Sequence, residues 1–135
     1  MAVLIDSSVL IGLERRGKDL DDLMSLTLDE SFALASITAS EILVGIYRAD
    51  SPQRRHHRET WVENALALFP VLPFDLTVAR VHAQLWAQLL TTGLMIGLHD
   101  VQVAATALSR DYSVLTDNVR DFERVPGLIV RQPEW

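Results

Sequence analysis

The chain has 135 residues, of which 49% are apolar and 22% charged, and this composition predicts one globular domain spanning residues 1–135. It contains no cysteine, which excludes disulfides and thiolate metal sites, so a metal would need oxygen or imidazole ligands. The net charge of −6 argues against a general electrostatic nucleic-acid binder, but it does not exclude an enzyme with clustered acids and a local basic patch.

The apolar segments of the sequence do not match a signal peptide or a membrane span. Asp6 interrupts the opening apolar run too early for a signal peptide, and Pro70 and Pro73 break the longest apolar run. We therefore expect a cytoplasmic protein.

The opening segment MAVLIDSSVLI places a carboxylate where a short buried strand, residues 3–5, is predicted to end. A buried carboxylate without a partner is costly, so Asp6 needs hydrogen-bond donors, a cation or solvent. One interpretation is that Asp6 is the N-cap of the following helix, and this segment alone favours it. The alternative is that Asp6 belongs to a functional site.

Strands and helices are predicted to alternate along the chain. Apolar runs indicate strands at 3–5, 31–35, 71–74, 113–116 and 128–130, with Pro73 confining the third to an edge or an end of the sheet. Apolar residues at helical spacing and start signals such as Ser51-Pro52 indicate helices at about 18–28, 38–50, 52–68, 76–90 and 99–111. This order predicts an α/β fold with a parallel sheet covered by helices on both faces.

Ligands of such sheets bind beyond the carboxyl ends of the strands. Asp6 lies at one such end, and Thr116-Asp117-Asn118 lies at another, directly after the strand at 113–116. This position at the end of a strand favours a functional role for Asp6 in addition to capping a helix.

Two further acids occupy the predicted starts of helices. Glu41 follows Thr38 at the spacing of a capping box, in which the two residues would satisfy each other's backbone amides. Asp100 precedes the apolar segment VQVAATAL and could act as an N-cap or as a first-turn acid favoured by the helix dipole. Each acid has a structural explanation, but three acids at strand-to-helix or helix-start positions together favour a shared site.

Clustered carboxylates repel each other unless a cation neutralises them. Mg²⁺ and Mn²⁺ prefer oxygen ligands and retain waters, so a few acidic side chains suffice to bind them. A metal held in this way can activate water for phosphodiester hydrolysis, and no protein nucleophile is needed.

Four segments, LIDSSVLI, ITASEILVGI, HDVQVAATAL and SVLTDNVRDF, resemble in content and order the PIN-domain ribonucleases, most closely the VapC-type toxins of bacterial toxin–antitoxin pairs. The resemblance covers essentially the whole chain. It implies a doubly wound, mainly parallel sheet of about five strands and a Mg²⁺-dependent (or Mn²⁺-dependent) endoribonuclease that cleaves RNA. It also implies a cognate protein antitoxin and a homodimer.

The resemblance assigns metal binding to Asp6 and Asp100 and makes Glu41 a catalytic acid that would hold a metal-bound water or a second ion. Many family members have a fourth acid where this sequence aligns Asn118, which offers a carbonyl oxygen but no charge. Asp117 is therefore predicted as a weaker catalytic residue, whereas Asp121 is interpreted as part of a solvated loop. Ser8 and Thr116 could hydrogen-bond the acids, although local capping explains them equally well.

The remaining polar residues carry weaker signals. The basic run Arg54–Arg58 is interpreted as a solvated helix face. Arg15 and Arg16 are equally plausible candidates for contacts with phosphates. His99 precedes Asp100 and is a candidate to face the cleft, but a single histidine beside a helix start is more often structural.

Lys18 and Asn118 bear on two alternative functions. An aspartyl-phosphate receiver or phosphatase would need a lysine after a late strand, and the only lysine is Lys18, in an early helix. An interaction module that keeps the fold and has lost the chemistry stays open, because Asn118 replaces an acid.

Overall fold

The computed structural model describes residues 2–25 and 30–134. Within these ranges the chain forms five strands and seven helices. The strands are β1 (Ala2–Ile5), β2 (Ser31–Ala35), β3 (Val71–Leu72), β4 (Ser113–Leu115) and β5 (Val130–Arg131). The helices are α1 (Ser7–Arg15), α2 (Leu20–Ser25), α3 (Ser36–Tyr47), α4 (Pro52–Leu68), α5 (Leu76–Thr92), α6 (Leu98–Arg110) and α7 (Val119–Phe122).

The strands form one sheet in the order β3-β2-β1-β4-β5, and every neighbouring pair is parallel. The chain winds outward from β1 in both directions, so the topological switch point lies between β1 and β4. The predicted α/β class, with a doubly wound parallel sheet of five strands, is confirmed. The strand at 71–74 is shorter than predicted and lies at an edge, as Pro73 requires.

The alternating side chains of β1 supply both halves of the core. Val3 and Ile5 pack with α1, α2, α3 and α4, whereas Leu4 points to the opposite face and packs with α5 and α6. All three residues are fully buried. The helices on both faces thus hold the carboxyl end of β1 in the middle of the molecule.

Several predicted boundaries differ from the structure. The helix predicted at 38–50 begins earlier, at Ser36, and the last strand lies at Val130–Arg131 rather than at 128–130. Of the helix predicted at 18–28, Leu20–Ser25 is observed, and residues 26–28 lie outside the described residues. None of the helices in the described ranges combines the length and apolar character needed to cross a membrane.

Candidate active site

Asp6 lies at the switch point, between the end of β1 and the start of α1. Its backbone amide donates to the carbonyl of Leu115 (2.9 Å), which continues the β1–β4 pairing past the end of β1. The side chain is 3% exposed and accepts hydrogen bonds from Ser8 Oγ and Thr116 Oγ1, both at 2.8 Å. Asp6 occupies the N-cap position, but its carboxylate accepts no capping bond from the helix, so the side-chain capping interpretation is wrong.

Asp100 lies in the first turn of α6, as the helix-dipole interpretation expects. Burial, followed by the negative charges of Asp6, Glu41 and Asp121, raises the pKa of Asp100 from its ordinary 3.8 to about 6. A hydrogen bond from Asn118 opposes this shift. The carboxyl groups of Asp6, Glu41, Asp100 and Asp121 therefore lie close enough to influence one another.

Glu41 reaches the same cleft from α3. Its Oε1 is buried without a hydrogen-bond partner among the described residues, and its Oε2 lies 3.6 Å from His99 Nδ1. Burial and then the charge of Asp6 raise the pKa of Glu41, while His99 and a hydrogen bond from Ser7 lower it. The capping-box interpretation is wrong, because α3 begins after Ala35 and Thr38 is already inside the helix.

Asn118 connects two of the acids. Its Nδ2 donates to Asp100 Oδ2 (3.3 Å) and to Asp121 Oδ2 (3.1 Å). Asp117 is exposed; its backbone amide donates to Ser8 Oγ (3.1 Å), and among the described residues its carboxylate has no hydrogen bond or ion pair. The structure thus places Asp121, rather than Asp117, beside Asn118 and Asp100.

Sequence reasoning missed or undervalued three contributors to this site. Ser7 and His99 both contact Glu41, and His99 is more than half exposed at the rim of the cleft. Asp121 follows Asn118 by three residues, a spacing that brings side chains together on one face of a helical turn. That spacing was the available signal for Asp121, whereas nothing local to His99 indicated its contact with α3.

The cleft has the properties of a site for a hard divalent cation. Its acidic side chains offer only oxygen atoms, and one of these, Glu41 Oε1, is buried without a partner among the described residues. Burial and then the neighbouring acids raise the pKa of Asp100, and a bound cation would favour its charged form. No three acidic or imidazole groups in the described ranges already stand at metal-ligand spacing. This is compatible with Mg²⁺, which commonly takes one or two carboxylates and keeps several waters.

Comparison with known proteins agrees with this geometry. Residues 3–128 match the PIN domain. The chain is 36% identical to "Ribonuclease VapC" of Rickettsia bellii over 130 residues, which cover 96% of this chain and 95% of that protein. It is 35% identical to the "tRNA(fMet)-specific endonuclease VapC" of Salmonella typhimurium over 103 residues, which cover 76% of this chain and 74% of that protein.

Solved structures show the same fold. The structure of DNA-bound VapBC from Salmonella typhimurium superposes with a TM-score of 0.85 at 26% identity, covering 98% of each chain. VapBC2 from Rickettsia felis, bound to a DNA fragment from its promoter, superposes with a TM-score of 0.88 at 20% identity, covering 99% of this chain and all of that one.

An acidic cleft at the switch point of a five-stranded parallel sheet, together with the match over residues 3–128, defines the class: this chain belongs to the PIN-domain family of nucleases. Within that family, several of its relatives are named VapC ribonucleases, and one of the similar solved structures is a member of the VapBC family of toxin–antitoxin systems.

Proposed function

We propose that this protein is a Mg²⁺-dependent endoribonuclease that hydrolyses RNA phosphodiester bonds as the toxin of a type II toxin–antitoxin pair. One observation carries the proposal: Asp6, Glu41, Asp100 and Asp121 meet at the carboxyl edge of the sheet, where burial and the charges of the other three acids raise the pKa of Asp100. The names of the VapC relatives support the substrate class.

Asp6 and Asp100 would hold Mg²⁺, or Mn²⁺, in the cleft. Asp6 follows the buried end of β1, and Asp100 comes from the first turn of α6, which packs on the face of the sheet that Leu4 faces. When bound, the metal would supply Lewis-acid polarisation of the phosphodiester and a lowered pKa for the attacking water.

Glu41 would position the water. Its Oε1 has no partner among the described residues and can accept a hydrogen bond, while Oε2 faces His99. Burial and then the charge of Asp6 raise the pKa of Glu41, which suits a group that accepts a proton from water.

Ser8, Thr116 and Asn118 act as positioning residues. The two hydroxyls hold Asp6 in one orientation, and the Asn118 amide bridges Asp100 to Asp121. We place Asp121 ahead of Asp117 as the fourth acid, because Asp121 lies in this network and the carboxylate of Asp117 does not.

The alternative of a catalytically inactive interaction module depended on the missing charge at Asn118. Asp121 supplies a carboxylate 3.1 Å from that amide, and this favours the enzyme.

We also propose that the protein binds a cognate protein antitoxin, forms a homodimer and works in the cytoplasm. The VapBC complexes among its structural relatives support the antitoxin. Exposed apolar side chains on α3 and α5, with Tyr47 75% and Leu90 63% exposed, offer surfaces for protein contacts. In the apolar segments 42–46 and 66–69, Val44 and Leu68 are exposed and available for such contacts, whereas Ile42, Ile46 and Phe69 are buried in the core.

Expression in a bacterial host without the antitoxin tests this function. We expect the wild-type chain to arrest growth and Asp6→Ala to be harmless at equal protein level, whereas Asp50→Ala, which removes a surface acid, should stay toxic. Growth arrest by Asp6→Ala as strong as by the wild type would contradict the proposal.

A further inference from the structure

A groove of about 610 Å³ leads away from Glu41 between α1, α3 and α4. We call it the arginine groove, because Arg15, Arg48 and Arg58 line it together with an apolar floor that includes Ile42 and Trp61. Glu41 lies at the groove and also in the acidic cleft, so the two are continuous.

Arg58 enters the groove because residue 45 of α3 is a glycine. The Arg58 guanidinium donates to the Gly45 carbonyl (3.3 Å) and to Glu14 Oε1 (3.1 Å). A Cβ atom at position 45 would come within 3.1 Å of Arg58 Cδ. Of the residues in the basic run at 54–58, only Arg58 lines this groove, and it also binds Glu14 of α1.

Arg15 and Arg48 carry the unneutralised positive charge of the groove. Both are exposed, and neither forms an ion pair or side-chain hydrogen bond within the described ranges. Arg48 follows Glu41 by seven residues, which corresponds to roughly 10 Å along a helix. That separation is large enough for Arg48 to meet a phosphate other than the one in the acidic cleft.

We propose that the arginine groove binds the RNA strand beside the scissile phosphate, with Arg15 and Arg48 contacting its phosphates. This inference rests on the proposed ribonuclease function. Two acids, Glu14 and Glu41, also line the groove, and Arg58 already pairs with Glu14. The three arginines therefore leave the groove with a net positive charge in a protein whose overall charge is −6, which makes it complementary to a polyanion. The apolar floor adds a surface on which bases can lie.

The test measures RNA binding in the Asp100→Asn background, so that the RNA is not cut. The probe is a pool of unfractionated tRNA, titrated over a series of salt concentrations. The test variant is Arg15→Gln with Arg48→Gln. The matched control is Arg80→Gln with Arg110→Gln, which removes the same charge from exposed positions outside the groove.

We expect the test pair to weaken binding by about tenfold or more at low salt and to reduce the slope of log K against log salt by about 0.7 for each lost phosphate contact. The control pair should leave the slope unchanged. Arg15→Lys with Arg48→Lys, which keeps the charge, should have the same slope as the protein with both arginines.

The outcomes separate this inference from the proposed function. Equal RNA binding by the test and control pairs, with metal-dependent cleavage intact in the wild-type chain, overturns the groove alone. Equal RNA binding with lost affinity for the antitoxin also overturns it and makes the groove a protein-docking surface. If the Asp100→Asn protein fails to bind RNA and the wild-type chain fails to cleave it, both the ribonuclease function and the RNA-binding groove are overturned.

Discussion

Thr116 Oγ1 donates a 2.8 Å hydrogen bond to Asp6 Oδ2, joining residues 110 positions apart at the ends of β4 and β1. The same hydroxyl oxygen accepts a bond from the backbone N–H of Asn118 (2.9 Å). Thr116 is fully buried, so both bonds are shielded from water. One side chain thus fixes the orientation of a metal-binding acid and the start of the loop that carries Asn118.

Thr116→Val should lower the free energy of unfolding by about 1–3 kcal/mol, because it leaves a buried carboxylate with one donor fewer and an amide without its acceptor. Chemical denaturation measures this change. The matched control is Thr106→Val, since Thr106 is also buried and, among the described residues, its hydroxyl donates only to the Gln102 carbonyl within its own helix. Equal effects of the two substitutions would show that the Thr116–Asp6 bond has no special role.

The raised pKa of Asp100 predicts a pH-dependent stability of the metal-free protein. Below pH 3.8 the carboxyl is protonated in both states; between 3.8 and about 6 the folded protein retains a proton that the unfolded chain has lost. Raising the pH through this window therefore lowers the free energy of unfolding, and the penalty is complete above pH 6.

Asp100→Asn removes this penalty. Compared with the wild type, the variant should gain stability at neutral pH, on the order of 1 kcal/mol after allowance for solvent screening, and the gain should vanish near pH 3. Thermal unfolding in EDTA across pH 3 to 7 measures the difference, with Asp50→Asn as an exposed control. If the variant were less stable than the wild type at pH 7, this would contradict the claim that burial and the neighbouring acids raise the pKa of Asp100.

Adding Mg²⁺ or Mn²⁺ should stabilise the wild-type protein at pH 7, because a bound cation neutralises the acids. A ligand at 100 times its Kd raises the free energy of unfolding by about 2.7 kcal/mol. Asp6→Asn and Asp100→Asn should reduce this increase strongly, and Asp50→Asn should not. The same metal response in all four proteins would place the cation elsewhere.

The strands and the positions of Asp6 and Asp100 at the site could be predicted from the sequence because their signals are local. The alternation of Val3, Leu4 and Ile5 and the position of Asp6 after them depend only on the period of a strand and the direction of the chain. Asp100 was recognisable in the same way, as an acid before an apolar helix.

The start of α3 and the fourth acid depend on tertiary contacts. Ala35 has no side chain that caps a helix, so the nearby Thr38 offered the stronger local signal although α3 had already begun. The spacing of three residues brings Asp121 beside Asn118, but it is the bond from the Asn118 side chain to Asp100, on a different helix, that connects this pair to the site. Arg58 reaches Glu14 across 44 residues, which no local pattern predicts.

The two candidate fourth acids can be separated by paired substitutions. Asp121→Asn should lower the cleavage rate by about 10- to 100-fold, the usual effect of losing a group that orients a metal ligand. Asp117→Asn should leave the rate close to that of the wild type, because its carboxylate is exposed and outside the network. Initial rates on one RNA substrate compare them, and the reverse order of effects would restore Asp117 as the catalytic acid.

The most direct measurement is cleavage of a pool of tRNA and other structured RNA by the purified, antitoxin-free chain in Mg²⁺, Mn²⁺ or EDTA, with Asp100→Asn in parallel. We predict discrete cuts in both metals and none in EDTA or with the variant. Cuts that persist in EDTA, or that Asp100→Asn produces at the wild-type rate, would contradict a metal-dependent ribonuclease centred on Asp6 and Asp100.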